Sequence, residues 1–366
     1  MSRAPRARWF APGRVNLIGD HTDYQQGLVL PFAIAAGTTV TVEINDTSRL
    51  NVRSSLFGSA PATTISSLAP HATTWAAYVE GAVFVLGRHD LGISGVQVHI
   101  DNDLAIGAGL ASSASLTCAT LAALLEATGH DPPPNLVAQF AQEVENDYVG
   151  APVGYMDPAA VMHGRDGHAL LIDTASREVS PIALATHEHD LTMVLVDTGR
   201  QHSTSGSAYR ERVHQCETAA EVLGVAALGD VHDPGTLDQI AEPLIRARAR
   251  HVITENARVR VVSDLLRSGR VREIGPLLTE SHRSLRDDYE VSTSGLDMIV
   301  ASAVRAGALG ARVTGAGFGG SALVLVDTAD IAQVLTAISH DYQQQYGVAL
   351  VVREVTASAG AVSQTL

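Results

Sequence analysis

Arg14, Asp20, His21, Asp23 and Tyr24 crowd into one short segment from Phe10 to Pro31, reading FAPGRVNLIGDHTDYQQGLVLP. Two carboxylates that each accept several hydrogen bonds, beside an imidazole that donates or accepts, are the chemistry of hydroxyl recognition, as in a sugar. Strand-like residues flank them, Val15 to Ile18 before and Leu28 to Leu30 after, so the polar residues fall on a loop between strands. The same pattern fits a solvated turn with a surface Asp–His cluster, and the segment alone leaves both readings open.

A second stretch runs from Leu104 to Ala127, LAIGAGLASSASLTCATLAALLEA. Gly107 and Gly109 let the backbone turn its N–H groups inward, and Ser112, Ser113 and Ser115 lead into a leucine and small-residue run at helical spacing. A glycine loop feeding a helix N-terminus is an anion site, because unpaired N–H groups and the positive end of the dipole converge there. It reads as a triphosphate cradle, or as a tight loop before a buried helix. It is not a dinucleotide fingerprint, since Ser112 holds the third glycine position. Nor is it a lysine-dependent phosphate loop: the chain has no lysine, and all 25 basic residues are arginine. A triphosphate here depends on backbone amides, arginine and a metal ion.

Asp157 precedes Pro158, a good first helical residue, so taken alone Asp157 reads as an ordinary helix cap. Glu145 lies near the end of a helix expected over 136–148. His187 and His189 lack further ligands at zinc spacing and read as surface loop. Residues 311–326, ARVTGAGFGGSALVLV, read as strand, glycine turn, strand; with no helix following, the glycines serve close backbone approach beside a site.

The elements that position these groups follow from periodicity. Strands are expected over 34–44, 96–100, 168–173, 191–196 and 348–355. Helices are expected over 75–86, 209–223, 237–266 (one or two), 274–285 and 296–304, with a polar loop at 202–208. A domain boundary is expected near 186–190, dividing the chain into 1–190 and 191–366. At 366 residues there is length for two cores, and 46% hydrophobic with 17% charged residues marks a globular chain. A net charge of −14 with no basic run speaks against nucleic acid. No apolar run reaches membrane-spanning length, and two cysteines, Cys118 (expected in the core) and Cys216, fit a reducing cytoplasm.

Three segments together resemble the galactose, homoserine, mevalonate and phosphomevalonate kinase superfamily, and within it the galactokinase family. They are GRVNLIGDHTDY from Gly13 to Tyr24, GAGLASS from Gly107 to Ser113, and TGAGFGG from Thr314 to Gly320. Similarity extends between them through Trp75 to Val79, Glu145 to Gly150, Gly154 to Asp157, His168 to Asp173 and Ser281 to Ser292. The first motif is highly specific; the glycine loops alone are weak.

The resemblance implies a two-domain α+β small-molecule kinase fold with the active site in the cleft between the domains. It implies ATP-dependent phosphorylation of galactose at the anomeric hydroxyl by a monomer. Asp157 matches the catalytic aspartate and Arg14 the arginine that steadies it; mevalonate kinases carry lysine there, galactokinases arginine. Gly107, Ala108, Gly109, Leu110, Ala111, Ser112 and Ser113 match the phosphate loop. Ser113 and Glu145 match magnesium ligands, and Asp20, His21, Asp23, Gly154 and Tyr209 match sugar contacts. An amino sugar or arabinose, or a non-catalytic sugar sensor, are the alternatives; intact Arg14, Asp157, Ser113 and Glu145 oppose the sensor.

Four positions depart from the family pattern. Asp20 stands for glutamate, Ala111 for the first of three serines, Pro158 for glutamine and Ala316 for glycine. Aspartate is shorter by about 1.5 Å, one C–C bond, so it is expected to fall short of a hydroxyl at the far end of the sugar. Asp20→Glu is then expected to lower KM.

Overall fold

The first strand explains why the polar loop sits where it does. β1 (Arg6–Asn16) alternates buried Ala7 and Trp9 with exposed or half-buried arginines, then turns wholly buried from Ala11 onward. Its first half therefore faces solvent on one side, and its second half is covered on both. β1 pairs antiparallel with β3 (Pro31–Ile44), and the register shifts between Pro12 and Gly13. Proline donates no ladder hydrogen bond, so a bulge is the natural place for it, and a bulge re-aims the next side chain. That side chain is Arg14, whose N–H donates to the Leu110 carbonyl at 3.1 Å. A Cβ at Gly13 would sit 2.5 Å from Leu104 Cδ2 and 2.8 Å from the Leu110 oxygen, so glycine is required for this approach.

The computed structural model describes residues 5–71, 74–105, 107–199 and 205–366. Among these, the strands form three sheets. The largest has the order β14-β1-β3-β7-β4-β5, with β6 paired to β4. Its further members are β4 (Arg49–Ser54), β5 (Gly58–Ser59), β6 (Thr63–Thr64), β7 (Val96–Asn102) and β14 (Val362–Ser363). A small sheet joins β2 (Leu28–Val29), β8 (His168–Asp173) and β9 (Glu178–Ala183). The third has the order β11-β12-β10-β13: β11 (Gly310–Thr314), β12 (Ser321–Asp327), β10 (Leu191–Asp197) and β13 (Val351–Val355). All its strands follow Leu191, yet β14 returns to pair with β1.

Helices cover the sheets: α1 (Ala77–Arg88), α2 (Ser112–Ala127), α3 (Pro134–Glu143), α4 (Met156–His163), α5 (Ser205–Leu223), α6 (Pro243–Arg267), α7 (Ile274–Asp287), α8 (Ser294–Arg305) and α9 (Ile331–Tyr346). The α+β class is as expected. The helix expected over 136–148 ends as α3 at Glu143 and continues as one π-helical turn, Val144–Val149. Residues 202–204 of the expected polar loop lie outside the described residues, and from Ser205 the chain is already α5. α9 was not read from the sequence.

Small residues let α2 lie close on the first sheet: Ala114, Cys118, Ala119, Ala122 and Ala123 are all fully buried. Ser115 Oγ donates to the Ala11 carbonyl at 2.7 Å, fixing the helix start against β1. One core fills the space between that sheet and α1–α4, and a second lies under α5, α8 and α9. A third is built from Val15, Leu17, Ile18, Leu30, Phe32, Ile34, Leu104, Ala108, Leu110, Leu191, Met193 and Leu195, with Val259, Val262 and Leu278 of α6 and α7. The polar loop and the glycine loop both rest on this third core.

Candidate active site

Arg14 and Asp157 meet as a two-pronged ion pair. Arg14 Nε donates to Asp157 Oδ1 and Nη2 to Oδ2, each at 2.8 Å. Arg14 Nη1 also donates to the Gly109 carbonyl. Such a fork fixes orientation as well as charge. Asp157 is the second residue of α4, where Tyr155 holds the cap position and no side chain caps the helix. Its carboxylate is committed to Arg14, which answers the helix-cap reading. Arg14 is buried and the Asp157 side chain is 27% exposed, so the aspartate is the reachable partner.

On one side of this pair lies a cavity of about 260 Å³, lined by Arg14, Asp20, His21, Asp23, Gly154, Asp157 and Tyr209, with Pro152, Val153 and Ala316. All five expected sugar contacts thus share one wall. A Cβ at Gly154 would lie 2.0 Å from Asp23 Oδ2, so glycine is what lets the carboxylate reach the backbone, where it accepts from the Met156 N–H. Burial, and then the charge of Asp157, push Asp23 up to about 7. His21 Nε2 lies 3.0 Å from the Ala316 carbonyl and Nδ1 lies 2.9 Å from the Tyr24 hydroxyl. Burial holds His21 neutral, at about 3. Asp20 is 1% exposed. It pairs with buried Arg312 and accepts from the Gly315 N–H at 2.9 Å. Arg312 is 4.0 Å from a second buried carboxylate, Glu255, which also accepts from the Gly19 N–H at 3.0 Å.

On the other side of the pair a cleft of about 300 Å³ is lined by Arg14, Asp157, the loop residues Gly107, Gly109, Leu110, Ala111, Ser112 and Ser113, and the hairpin residues Thr314 and Ala316 to Gly320. Gly107 and Gly109 have φ of 79° and 78°, and Ala111 takes φ 57° directly before α2. Ala108 turns inward instead, where its carbonyl accepts from Ser321 Oγ at 2.9 Å. The hairpin β11–β12 has the expected strand–turn–strand form. A Cβ at Gly315 would meet the Gly109 oxygen at 3.0 Å, a backbone-to-backbone approach that leaves little room for a side chain.

Glu145 is buried in the π-helical turn and accepts a hydrogen bond from the Ser113 hydroxyl. Burial, and then the charge of Asp157, raise it to about 8. Two hard oxygens with a carboxylate short of positive charge are what a magnesium ion takes. Among the described residues no cluster of three or more His, Cys, Asp and Glu is placed to hold a metal ion, so phosphate oxygens and water would complete such a shell. His187 and His189 lie in a surface one-turn helix without buried residues, as expected.

A third cavity of about 240 Å³ adjoins Ser112 and Ser113 and is lined by Thr38, Leu56, Phe57, Trp75, Tyr78, Asn102 and Leu116. The Phe57 and Trp75 rings stack with centroids 5.6 Å apart. Flat apolar walls with a few polar groups suit a nucleoside base. Sequence reading placed Trp75 only at a helix start; an exposed Leu56–Phe57 pair in a Ser- and Thr-rich segment was the available signal. It also missed Arg312, whose signal was an arginine inside an otherwise apolar strand.

Family models match three parts of the chain: the galactokinase galactose-binding signature over 1–44, the GHMP kinases N terminal domain over 77–165, and the GHMP kinases C terminal over 262–344. The chain is 42% identical to galactokinase of Mycobacterium tuberculosis over 318 residues, covering 86% of this chain and 88% of that one. It is 40% identical to galactokinase of Streptomyces coelicolor over 364 residues, covering 98% and 94%. Its fold is similar to that of Lactococcus lactis galactokinase complexed with galactose, with TM-score 0.93 and 29% identity, covering 98% and 95%. Mevalonate kinase of Methanococcus jannaschii shares the fold at TM-score 0.70 and 17% identity.

Proposed function

We infer the roles of the site residues from one premise: this chain belongs to the galactokinase family of the GHMP kinases. It transfers the γ-phosphoryl group of ATP to the anomeric hydroxyl of galactose, giving α-galactose 1-phosphate and ADP. The observation that carries the residue roles is the Arg14–Asp157 pair at the seam of two cavities, one sugar-sized and one lined by backbone amides. Arg14 and Asp157 line both cavities, so the pair stands beside a hydroxyl held in the first and a phosphate held in the second.

Phosphoryl transfer asks mainly for positioning and charge stabilisation. Asp157 accepts a hydrogen bond from the anomeric hydroxyl, aims its oxygen at the γ-phosphorus and takes its proton as the new bond forms. Arg14 holds Asp157 in place through two bonds and lends positive charge beside the transferring group. Asp23 and the backbone about Gly154 hold ring hydroxyls, with His21, Tyr209 and Asp20 shaping the wall. The N–H groups of the 107–113 loop, at the positive end of α2, hold the phosphates. Ser113 and Glu145 fit a magnesium ion, whose chemistry when bound is to offset negative charge on the phosphates.

Among the described residues no helix is long and apolar enough to cross a membrane. Both cysteines are free and buried, which supports the cytoplasmic reading, and the monomer remains the expected state. ATP turnover against a panel of galactose, an amino sugar and arabinose tests the function. Galactose giving the highest kcat/KM is the expected result; ATP binding without turnover on any sugar would point to a sensor.

A further inference from the structure

Behind the sugar cavity runs a row of buried polar atoms that phosphoryl transfer does not use. It starts at Ala316 in the glycine hairpin, passes through His21 and Tyr24, and enters the interior at Tyr289 and Cys216. The His21 Nε2 to Ala316 oxygen distance is 3.0 Å, His21 Nδ1 to Tyr24 Oη 2.9 Å, Tyr24 Oη to Tyr289 Oη 2.6 Å and Tyr289 Oη to Cys216 Sγ 3.0 Å. His21, Tyr289 and Cys216 are all buried. Four elements meet here: the loop after β1, α5, the α7–α8 connection and the β11–β12 hairpin.

The direction of every bond in this row follows from its first member. A carbonyl oxygen only accepts, so His21 Nε2 carries the hydrogen. Burial keeps the ring neutral, so Nδ1 has a lone pair and the Tyr24 hydroxyl must donate to it. Each phenol has one proton. With that of Tyr24 spent, its oxygen accepts from Tyr289, and the Tyr289 oxygen accepts in turn from the Cys216 thiol. Any other assignment leaves two donors or two lone pairs facing each other in a buried space.

We propose that Cys216, Tyr289 and Tyr24 form a positioning relay that fixes His21 as its Nε2–H tautomer, so that His21 offers the sugar a ring face and no hydrogen-bonding nitrogen. Both imidazole nitrogens are spent on protein. The ring packs beside Tyr209, with centroids 5.6 Å apart, and makes an aromatic wall suited to the C–H face of a pyranose. Hydroxyl recognition then falls to Asp23 and to the backbone about Gly154. The bond to Ala316 ties the sugar loop to a residue that lines both the sugar cavity and the phosphate cleft. This inference rests on the reading of that cavity as the galactose site.

The test is nitrogen NMR on the full chain labelled at its 15 histidines, with the His21 signal assigned by its loss in His21→Gln. The expected wild-type spectrum shows His21 protonated at Nε2 only, unchanged between about pH 5 and 8, the range in which an ordinary imidazole titrates. Tyr24→Phe removes the donor to Nδ1, so the His21 signals should shift or split. Galactose KM should rise about tenfold, the worth of one hydrogen bond, with kcat within about twofold. Tyr289→Phe should give a smaller change of the same kind and serves if Tyr24→Phe does not fold; Cys216→Ser, which keeps a donor, should match the wild type. A wild-type His21 protonated at Nδ1, or one that titrates near neutrality, overturns the proposal. So does an unchanged KM in both tyrosine variants. The NMR needs no sugar, so a wild-type protein that fails to turn over galactose strikes the function and leaves the tautomer result standing.

Discussion

The sugar cavity and the phosphate cleft share a wall and are built by opposite means. The cavity is walled by side chains, and Asp20 and His21 are each pinned from behind. Asp20 is held by Arg312 and the Gly315 N–H, and His21 by Ala316 and Tyr24. Thr22 Oγ1 has one proton to donate and lies 2.9 and 2.8 Å from two acceptors, the Gly19 and Leu28 carbonyls. In the cleft the wall is backbone: Gly107, Gly109, Ala111, Gly317, Phe318, Gly319 and Gly320 all have positive φ. Sugar epimers differ by the direction of one hydroxyl, so selecting among them takes fixed acceptors. Phosphate is the same from every side and asks only for N–H groups and charge. Arg14 and Asp157 belong to both regions.

The sharpest break is therefore at the shared pair. Asp157→Asn keeps the shape and removes the acceptor, and kcat should fall by about a hundredfold or more with little change in fold. Steady-state rates with circular dichroism check this; near-normal turnover would return Asp157 to a structural role. On the cleft side, Glu145→Gln and Ser113→Ala each remove one hard oxygen. The magnesium concentration for half-maximal rate should rise by about tenfold, with galactose KM little changed. Equal magnesium dependence in both variants and the wild type would mean that phosphate and water alone hold the metal.

On the cavity side, Asp23 shows what a sugar acceptor costs the fold. Its native value of about 7 lies above the unfolded 3.8, so between those limits the native state holds a proton the unfolded state has lost. Stability therefore falls as pH rises from about 4 to 7 and stays reduced above that. Asp23→Asn removes the penalty. The sugar-free variant should melt roughly 2–4 °C above wild type at pH 8, the effect of about 1 kcal/mol, and the gain should vanish near pH 4. Its galactose KM should rise. A melting point lower than wild type at pH 8 would mean that Asp23 is stabilised by bonds its burial does not reveal.

The two regions were not equally legible in the sequence. Glycine spacing and a following helix make a phosphate loop one of two local readings, because N–H groups of adjacent residues would do the work, and the motif from Gly13 to Tyr24 is what gave that reading its weight. Strand alternation marks β3 and β7, and a continuous apolar run marks β10, for the same reason. The cavity is assembled from residues far apart in the chain, such as Asp20 with Arg312 and His21 with Ala316. No periodicity marks such pairs, so the loop could be read as polar but not as pinned. The third cavity joins Phe57 and Trp75 across a Ser- and Thr-rich segment with weak strand signals, and so stayed hidden. Asp157 was ambiguous because an aspartate before a proline looks alike as a cap and as a catalyst until its partner is seen.

Asp20 is where the difference between the regions makes its finest prediction. Chain length alone suggests that this aspartate falls short of the sugar and that Asp20→Glu would restore a bond. The structure gives both of its oxygens other partners, Arg312 and the Gly315 N–H, in a site 1% exposed. A longer acid cannot keep both bonds without moving β11 or the loop, and packed interiors resist an added methylene by about 1–3 kcal/mol. If its carboxylate swings toward the sugar instead, it leaves Arg312 buried beside Glu255 with one carboxylate where it had two. Breaking a buried ion pair costs more than a bond to a sugar hydroxyl returns. Asp20→Glu should therefore raise galactose KM by roughly threefold and lower the melting temperature, the reverse of the expectation from length. Measuring both in one variant decides it. A lower KM at unchanged stability would show that the loop has room and that position 20 reads the sugar directly; a higher KM with a lower melting point would place Asp20 among the pins that hold the wall.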